Sequence, residues 1–418
     1  MAESRLKRAH GNWVSGDRFW DRETELELLA DYLEEGAHLL IVAQRRIGKT
    51  SLMQEAIRRL EGRFLCLFVD LQKSQSAADA IVELSVATRP YAPLWERTKA
   101  VFGNILDKIG DKVESLQLDD LTVQLRSGLT LGDWQAKGDR LLETLAAADQ
   151  GVVVFFDEVP ILVNRILQGD NYQITPERRQ QTDALMSWLR ASCLRHQGKL
   201  RFVVTGSIGL EPILRQAGLS GTLNVFTPFE LGPWSRETAA GCIEALAHQY
   251  SLELQPEAVE AILDRLGVCI PHHVQMFFDN VYHESKLRSS TTVDRALVAE
   301  VYKRDMLSVR GHAELSHLEE RLKMVLGPDR HPLALELLSE TAVTGELTSF
   351  AALTVAREYL PAETRPGEEV REILGILEHD GYLRRNAGDN YVFVSKLLRD
   401  WWKARFGFGY VPAAERGK

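Results

Sequence analysis

The segment A-Q-R-R-I-G-K-T-S, Ala43–Ser51, constrains the fold of this chain more than any other. It follows the apolar run His38–Val42 and leads into a stretch with helical periodicity, Ser51–Leu60. This order of strand, loop and helix fits the phosphate-binding template G-x-x-x-x-G-K-[ST], except that Ala43 replaces the first glycine. Alanine is still compact at that position. The segment therefore predicts a phosphate-binding loop, or P-loop, that binds a nucleotide.

Each part of the predicted loop has its own chemical role. Backbone N–H groups would face phosphate oxygens, and Gly48 permits their close approach. Lys49 would neutralise the β- and γ-phosphates during catalysis, and the Thr50 hydroxyl would bind Mg²⁺. The residues predicted to bind nucleotide here are Ala43, Gln44, Arg45, Arg46, Ile47, Gly48, Lys49, Thr50 and Ser51.

A second apolar run, Gly151–Phe156, ends in the two acids Asp157 and Glu158. Continuous hydrophobicity suits a parallel strand that is buried on both faces. Asp157 would lie at the carboxyl end of that strand, where open α/β sheets bind ligands, and would hold the water shell of Mg²⁺. Glu158 would orient and polarise the attacking water. The sequence has no N-K-x-D guanine motif, which favours ATP over GTP.

The apolar run Arg201–Thr205 continues as T-G-S at 205–207. A polar side chain at such a strand end can point at the γ-phosphate, so Thr205 or Ser207 is predicted to be a γ-phosphate sensor. The alternative is that the strand simply ends here and that a serine caps the helix starting near Leu210.

Apolar runs and helical patterns alternate through the first half of the chain, which predicts an α/β fold with a parallel sheet. The five strand candidates are His38–Val42, Phe64–Asp70, Gly151–Phe156, Arg201–Thr205 and a run within Leu223–Leu231. Asp21–Glu35 and Leu131–Ala148 are the clearest helix patterns besides the one after the loop. A polar segment, 164–182, is predicted to connect the third strand to a helix that ends near His196.

The second half of the chain is predicted to be mainly helical. Four helix patterns cover about 235–307, and a last block, about 313–410, contains three more. Two strand-like runs then flank the turn N-A-G-D-N, and a closing helix covers Lys396–Phe406. This order predicts a winged helix. The predicted domains are an ATPase core at 1–232, a helical lid at 233–310 and a winged helix at 311–418.

Four segments resemble archaeal-type P-loop ATPases of the STAND branch, which are related to AAA+ proteins in the ASCE group. They are F-W-D-R-E-T-E-L at 19–26, V-T-G-S-I-G-L at 204–210, P-F-E-L-G-P-W at 228–234 and G-V-C-I-P at 267–271. The resemblance implies that Phe19, Trp20 and Arg22 contact adenine and ribose, and that Pro271 touches the base. Two alternatives stay open: a hydrophobic staple for the aromatic pair, and a first-turn helix proline at position 271. Asp21 stands where the family usually has glycine.

Composition limits the other function classes. A net charge of −9 does not indicate wholesale binding to nucleic acid or anionic membranes. No apolar run approaches the ~20 residues that a membrane span needs, and the amino terminus lacks a signal-peptide core. The four cysteines form no C-x-x-C pair, which suits reduced thiols and a cytoplasmic location.

These patterns together predict a slow, Mg²⁺-dependent ATPase that acts as a regulatory switch on a protein partner. Residues 313–418 hold fourteen basic and seventeen acidic side chains, which disfavours a DNA-reading winged helix. The alternatives are an initiator-like or transposition-regulator-like ATPase that binds DNA, and a nucleotide-binding scaffold with little hydrolysis. An ATP-dependent oligomer stays open, and no arginine finger is assigned among four candidates: Arg178, Arg179, Arg190 and Arg195.

Overall fold

The computed structural model describes residues 6–9, 13–103, 117–129, 132–206 and 208–416. The chain divides into two compact units, which are described separately. The sheet unit consists of Arg22–Val42 and Leu52–Leu231. The C-terminal unit consists of Met1–Asp21, Ala43–Ser51 and Gly232–Lys418, so it includes the P-loop segment. In the described ranges, no helix has both the length and the apolar character needed to cross a membrane.

The sheet unit contains the predicted five-stranded parallel sheet. Its strands are β1 (Leu39–Val42), β2 (Leu65–Asp70), β3 (Val152–Asp157), β4 (Leu200–Thr205) and β5 (Thr227–Glu230). They lie in the order β2-β3-β4-β1-β5, and every neighbouring pair is parallel. All residues of β3 and β4 are buried, as their continuous apolar runs predict.

In the described ranges, nine helices precede, connect or follow these strands. They are α1 (Glu23–Glu34), α2 (Lys49–Leu60), α3 (Ala77–Ala87), α4 (Ala92–Val101), α5 (Leu118–Gly128), α6 (Trp134–Ala146), α7 (Val159–Gln168), α8 (Pro176–Arg195) and α9 (Leu210–Ala217). The first three residues of α2 belong to the P-loop segment of the C-terminal unit.

The prediction of a polar connection at 164–182 is wrong at both ends, because α7 extends to Gln168 and α8 begins at Pro176. Nine of the ten residues of α7 are buried, including the polar Asn164 and Gln168, so polar residues in this stretch do not mark an exposed connection. It ends at Gly169, whose φ is 58° and where the guanidinium of Arg178 fills the space of a side chain.

The helices that follow β5 form a compact four-helix part. They are α10 (Arg236–Gln249), α11 (Pro256–Leu266), α12 (Pro271–Leu287) and α13 (Arg295–Val301). A two-stranded parallel ladder, β6 (Glu253–Leu254) with β7 (Thr292–Val293), joins them. The last of the four helix patterns predicted over about 235–307 is α13 followed by a π-helical turn at Tyr302–Met306.

The remaining residues form a C-terminal block, 309–406, with the predicted succession of helices, hairpin and closing helix. Its elements are α14 (Val309–Thr344), α15 (Ser349–Tyr359), α16 (Pro366–His379), β8 (Leu383–Arg385), β9 (Tyr391–Phe393) and α17 (Lys396–Phe406). α14 is kinked at Gly327, where φ is 70° and Pro328 follows. β8 and β9 are antiparallel, and the Asn386 side chain accepts hydrogen bonds within the turn.

The C-terminal block and the four-helix part share one hydrophobic core. Leu397 of α17 is fully buried in the apolar cluster of the four-helix part. Beside it, the Ser395 hydroxyl donates a hydrogen bond of 3.2 Å to the carbonyl of Leu266 at the end of α11. The Tyr302 hydroxyl donates to the Asp400 carboxylate at 2.8 Å. The two parts are therefore in direct contact and are packed as one body.

Candidate functional site

The P-loop directly follows β1 and contains residues with a left-handed backbone conformation. Its left-handed residues, among those described, are Arg46 (φ 68°) and Gly48 (φ 100°). Ala43 is not among them, so its methyl group causes no backbone strain in place of glycine. Ile47 is 1% exposed and anchors the loop in apolar surroundings.

Lys49, the first residue of α2, folds back over the loop. Its side chain is buried, and Nζ donates to the carbonyl oxygens of Ala43 at 2.8 Å and Gln44 at 3.0 Å. The ammonium group thus binds the two residues that open the loop. At the start of α2, the Ser51 hydroxyl also accepts a hydrogen bond of 3.1 Å from the backbone N–H of Val14.

Within the C-terminal unit, the P-loop contacts the C-terminal block. Gln44 lies against Gly381, where an added Cβ would come within 2.6 Å of the Gln44 Cβ. The Arg45 guanidinium donates to the carbonyl of His317 at 2.9 Å. Neither partner was predicted from the sequence. The left-handed Gly381 after α16 carried a signal for a helix end, but nothing in the sequence showed which segment it would meet.

The segment predicted to contact adenine begins in the same unit. Trp20 donates its indole N–H to the carbonyl of Thr238 in α10 at 3.1 Å, and Phe19 before it is half-buried. Asp21 and Arg22 are both left-handed, with φ of 60° and 74°. The position where the resembled family has glycine is therefore one whose conformation glycine favours.

Arg22 and Pro271, which are also predicted to contact the nucleotide, are both buried. Arg22, in the sheet unit, is buried and forms an ion pair with Glu25. Pro271 is buried and is the first residue of α12, in agreement with its structural alternative. His272, the next residue, donates its backbone N–H to the Arg46 carbonyl at 3.4 Å. The nucleotide contacts of these side chains stay predictions.

In the sheet unit, β3 ends in the predicted acids. Asp157 is 6% exposed, and its Oδ1 accepts a hydrogen bond of 3.0 Å from the backbone N–H of Glu158. Glu158 is left-handed, with φ 60°, and immediately precedes α7. Such a conformation costs a non-glycine residue about 1–3 kcal/mol and is often found at functional sites. Asp70 of β2 is in register with Asp157, an acid at a strand end that the sequence analysis did not assign.

Thr205 ends β4, the strand between β3 and β1. Its side chain is fully buried, and Oγ1 has no hydrogen-bond partner in the described part of the chain. Leaving a buried hydroxyl without a hydrogen bond costs about 1–3 kcal/mol. The Thr205 hydroxyl is therefore suited to form a hydrogen bond with a bound ligand. Ser207, the other predicted sensor, lies outside the described residues.

Two of the arginine-finger candidates have hydrogen-bond or ion-pair partners within the sheet unit. Arg178 donates to the carbonyls of Gln168 at 2.6 Å and Gln173 at 2.8 Å, so it holds the connection between α7 and α8. Arg195 forms an ion pair with Asp139 at 3.2 Å. These contacts give both residues a structural role.

The cysteines offer no reactive thiol in the described ranges. All four are free and buried. Burial raises the pKa of Cys66, Cys193 and Cys242 to about 12, which keeps these thiols protonated at neutral pH. In the described ranges, no group of three or more His, Cys, Asp or Glu side chains could hold a metal ion by itself.

Solved structures provide the comparison for this arrangement of strands, loop and helices. The Walker-type ATPase PABY2304 of Pyrococcus abyssi aligns over 92% of this chain and 96% of its own, with a TM-score of 0.61 and 16% identity. The fold is that of a P-loop ATPase. The ORC2 protein of Aeropyrum pernix aligns over 92% of this chain and 93% of its own, with a TM-score of 0.53 and 14% identity. No protein-family model and no curated protein matches the sequence.

Proposed function

We propose that this chain binds ATP with Mg²⁺, hydrolyses it slowly and acts as a nucleotide-controlled switch on a protein partner. The observation that carries the switch is the contact of the P-loop with the C-terminal block, through Gln44 with Gly381 and Arg45 with His317. A loop that surrounds phosphate cannot rearrange without affecting the residues packed against it.

Lys49 links phosphate binding to that contact. Its ammonium group now binds the Gln44 carbonyl, and the phosphates of ATP would compete for the same protons. If the Gln44 carbonyl lost this hydrogen bond, the backbone of Gln44 could move, and its side chain, which lies against Gly381, would move with it. Nucleotide would thereby shift the population of two arrangements of the loop and the block.

The remaining residues fit direct attack by water on the γ-phosphorus. Glu158 would accept a proton from the water, and the bond from the γ-phosphorus to the bridging oxygen would break without a covalent enzyme intermediate. Thr205 Oγ1, buried and without a partner in the described part, would donate to the γ-phosphate. The Thr50 hydroxyl and the Asp157 carboxylate are the hard oxygen donors that Mg²⁺ prefers, and the bound ion would neutralise phosphate charge.

Charge pairing in the C-terminal block favours a protein partner over DNA. Arg385 of the hairpin pairs with Asp389 at 2.7 Å. On α16, Glu369 and Glu372 both pair with Arg330 at 2.8 Å. Side chains that are already paired with opposite charges are poorly placed to neutralise DNA phosphates.

The proposal is tested by binding of labelled ATP and GTP with Mg²⁺ and by phosphate release. Lys49→Ala should lose ATP binding, whereas Glu158→Gln should bind ATP and lose hydrolysis. Lys199→Ala, at an exposed position of the sheet unit, serves as the control and should behave as wild type. Normal hydrolysis by Glu158→Gln would exclude the assigned role of this acid, and absence of ATP binding by the wild type would exclude the proposal as a whole. A salt-sensitive, ATP-strengthened shift of duplex DNA would favour the DNA-associated alternative.

A further inference from the structure

The position of Glu158 depends on α7, because the helix begins at the next residue. Nine of the ten residues of α7 are buried, and the exception, Arg165, is half-buried. A helix packed on all sides cannot shift locally without disturbing several neighbours. The contacts of α7 therefore decide where the Glu158 carboxylate lies.

Arg165 connects α7 to the loop that follows β2. Its Nη1 donates to the carbonyl oxygen of Gln72 and, at 3.0 Å, to that of Ser74. Hydrogen bonds from a charged guanidinium are about twice as strong as neutral ones. Arg165 thus holds the β2–α3 loop at a point two helical turns after Glu158.

The same loop is also bound to the end of β3. The backbone N–H of Leu71 donates to the carbonyl of Asp157 at 3.0 Å. The chain from Asp157 through Glu158 to Arg165 and the loop from Leu71 to Ser74 therefore form a closed ring of covalent and hydrogen bonds. On the other side, Pro160 of α7 packs so tightly against Gly206 that a Cβ at this glycine would overlap its ring.

We propose that Arg165 is a positioning residue for hydrolysis: by closing the ring between α7 and the β2–α3 loop, it holds the Glu158 carboxylate where it can activate water. This inference rests on the proposed function, and it assigns a role in the reaction to a residue that does not contact the nucleotide. A displacement of about 1 Å in a catalytic group is enough to lower a rate about a hundredfold.

Arg201 provides a matched control. It lies in the same unit and also donates from a guanidinium to backbone carbonyls, those of Leu33 at 2.7 Å, Gly198 at 3.1 Å and Lys199 at 3.4 Å. It belongs to the amino end of β4, away from the carboxyl ends of the strands. Loss of either arginine leaves carbonyl groups without a donor, so both variants should lower stability.

The experiment compares Arg165→Gln, Arg165→Lys and Arg201→Gln with the wild type, by ATP dissociation constant and kcat. Arg165→Gln should lower kcat by about ten- to a hundredfold while ATP affinity stays within about twofold. Arg165→Lys should recover part of that loss, and Arg201→Gln should keep kcat within about twofold. Equal kcat losses in Arg165→Gln and Arg201→Gln would overturn the inference.

A second measurement, hydrogen exchange of the backbone amides of residues 158, 159, 161 and 162, tests the inference without relying on hydrolysis. These amides should exchange faster in Arg165→Gln than in Arg201→Gln, at matched stability, even if the wild type hydrolyses no ATP. The same exchange in both variants would show that Arg165 does not hold this turn, whatever the activity.

Discussion

His38 shows how a single buried side chain can make the stability of the sheet unit depend on pH. Its Nδ1 accepts a hydrogen bond of 3.1 Å from the backbone N–H of Phe202, and Nε2 lies 3.2 Å from the carbonyl of Cys193. These two partners require a neutral ring with its proton on Nε2. Burial, the main cause, lowers the pKa of His38 below its ordinary value.

We predict that this histidine contributes stability above about pH 6.5, the pKa of the unfolded chain, and loses that contribution as the pH falls through its lower folded pKa. The unfolded chain takes up the proton first, so acid favours unfolding. His38→Gln should unfold at a lower temperature at pH 7.5 and show a smaller decrease between pH 7 and pH 5. Since His196 and His331 also have lowered pKa values, the comparison is made between wild type and variant. A parallel decrease in both proteins would contradict the assignment.

Among single residues, the sequence predicted the places of the candidate site residues better than their backbone conformation. The positions of Lys49, Asp157 and Thr205 follow from the loop and from strand ends, because parallel strands place their carboxyl ends at one edge. The left-handed φ of Glu158 could not be predicted, since glutamate gives no signal for it. The contact of Gln44 with Gly381 joins residues far apart in sequence, and no local pattern encodes it.

At the scale of elements, the strands were predictable and α7 was not. β3 and β4 are apolar at nearly every position, and turn residues bound them, so their limits follow from hydrophobicity. α7 is short, and the polar residues in its second half suggest an exposed connection, although in the structure they are buried or half-buried. Its place is set by tertiary contacts, with Pro160 against Gly206 on one side and Arg165 on the other.

We predict that Gly206→Ala lowers the free energy of unfolding by about 1–3 kcal/mol, because the new methyl group would overlap the Pro160 ring. Pro160→Ala removes the overlapping atoms and should recover much of that loss in the double variant. Urea unfolding of the two single variants and the double variant measures the coupling. Strictly additive losses would show that the two residues do not press on each other.

At the scale of the whole molecule, the four-helix part and the C-terminal block are packed together through a shared core. Gly267, at the end of α11, has a φ of 74°, and an added Cβ would lie 2.9 Å from the Lys396 Cβ of α17. Gly218, at the end of α9, has a φ of 72° but open space around it. A substitution at either glycine causes backbone strain, but only one at Gly267 also causes a clash at the shared core.

We predict that Gly267→Ala destabilises the protein by about 1–3 kcal/mol more than Gly218→Ala, since only the first adds overpacking to strain. Hydrogen exchange should also accelerate in α17 in the first variant and not in the second. If both variants lost the same stability and hydrogen exchange in α17 did not change, the contact between α11 and α17 would not belong to a shared core.

We predict that nucleotide bound at the P-loop changes how the loop is arranged against the C-terminal block. Within the C-terminal unit, this is measured by the distance between spin labels at Trp13→Cys, beside the residue that donates to Ser51 of the P-loop, and at Phe350→Cys in the C-terminal block, positions 47% and 72% exposed. In the Glu158→Gln background, the distance distribution should differ between the ADP- and ATP-bound protein, and Lys49→Ala should abolish the difference. Identical distributions without nucleotide, with ADP and with ATP, under saturating binding, would contradict the switch.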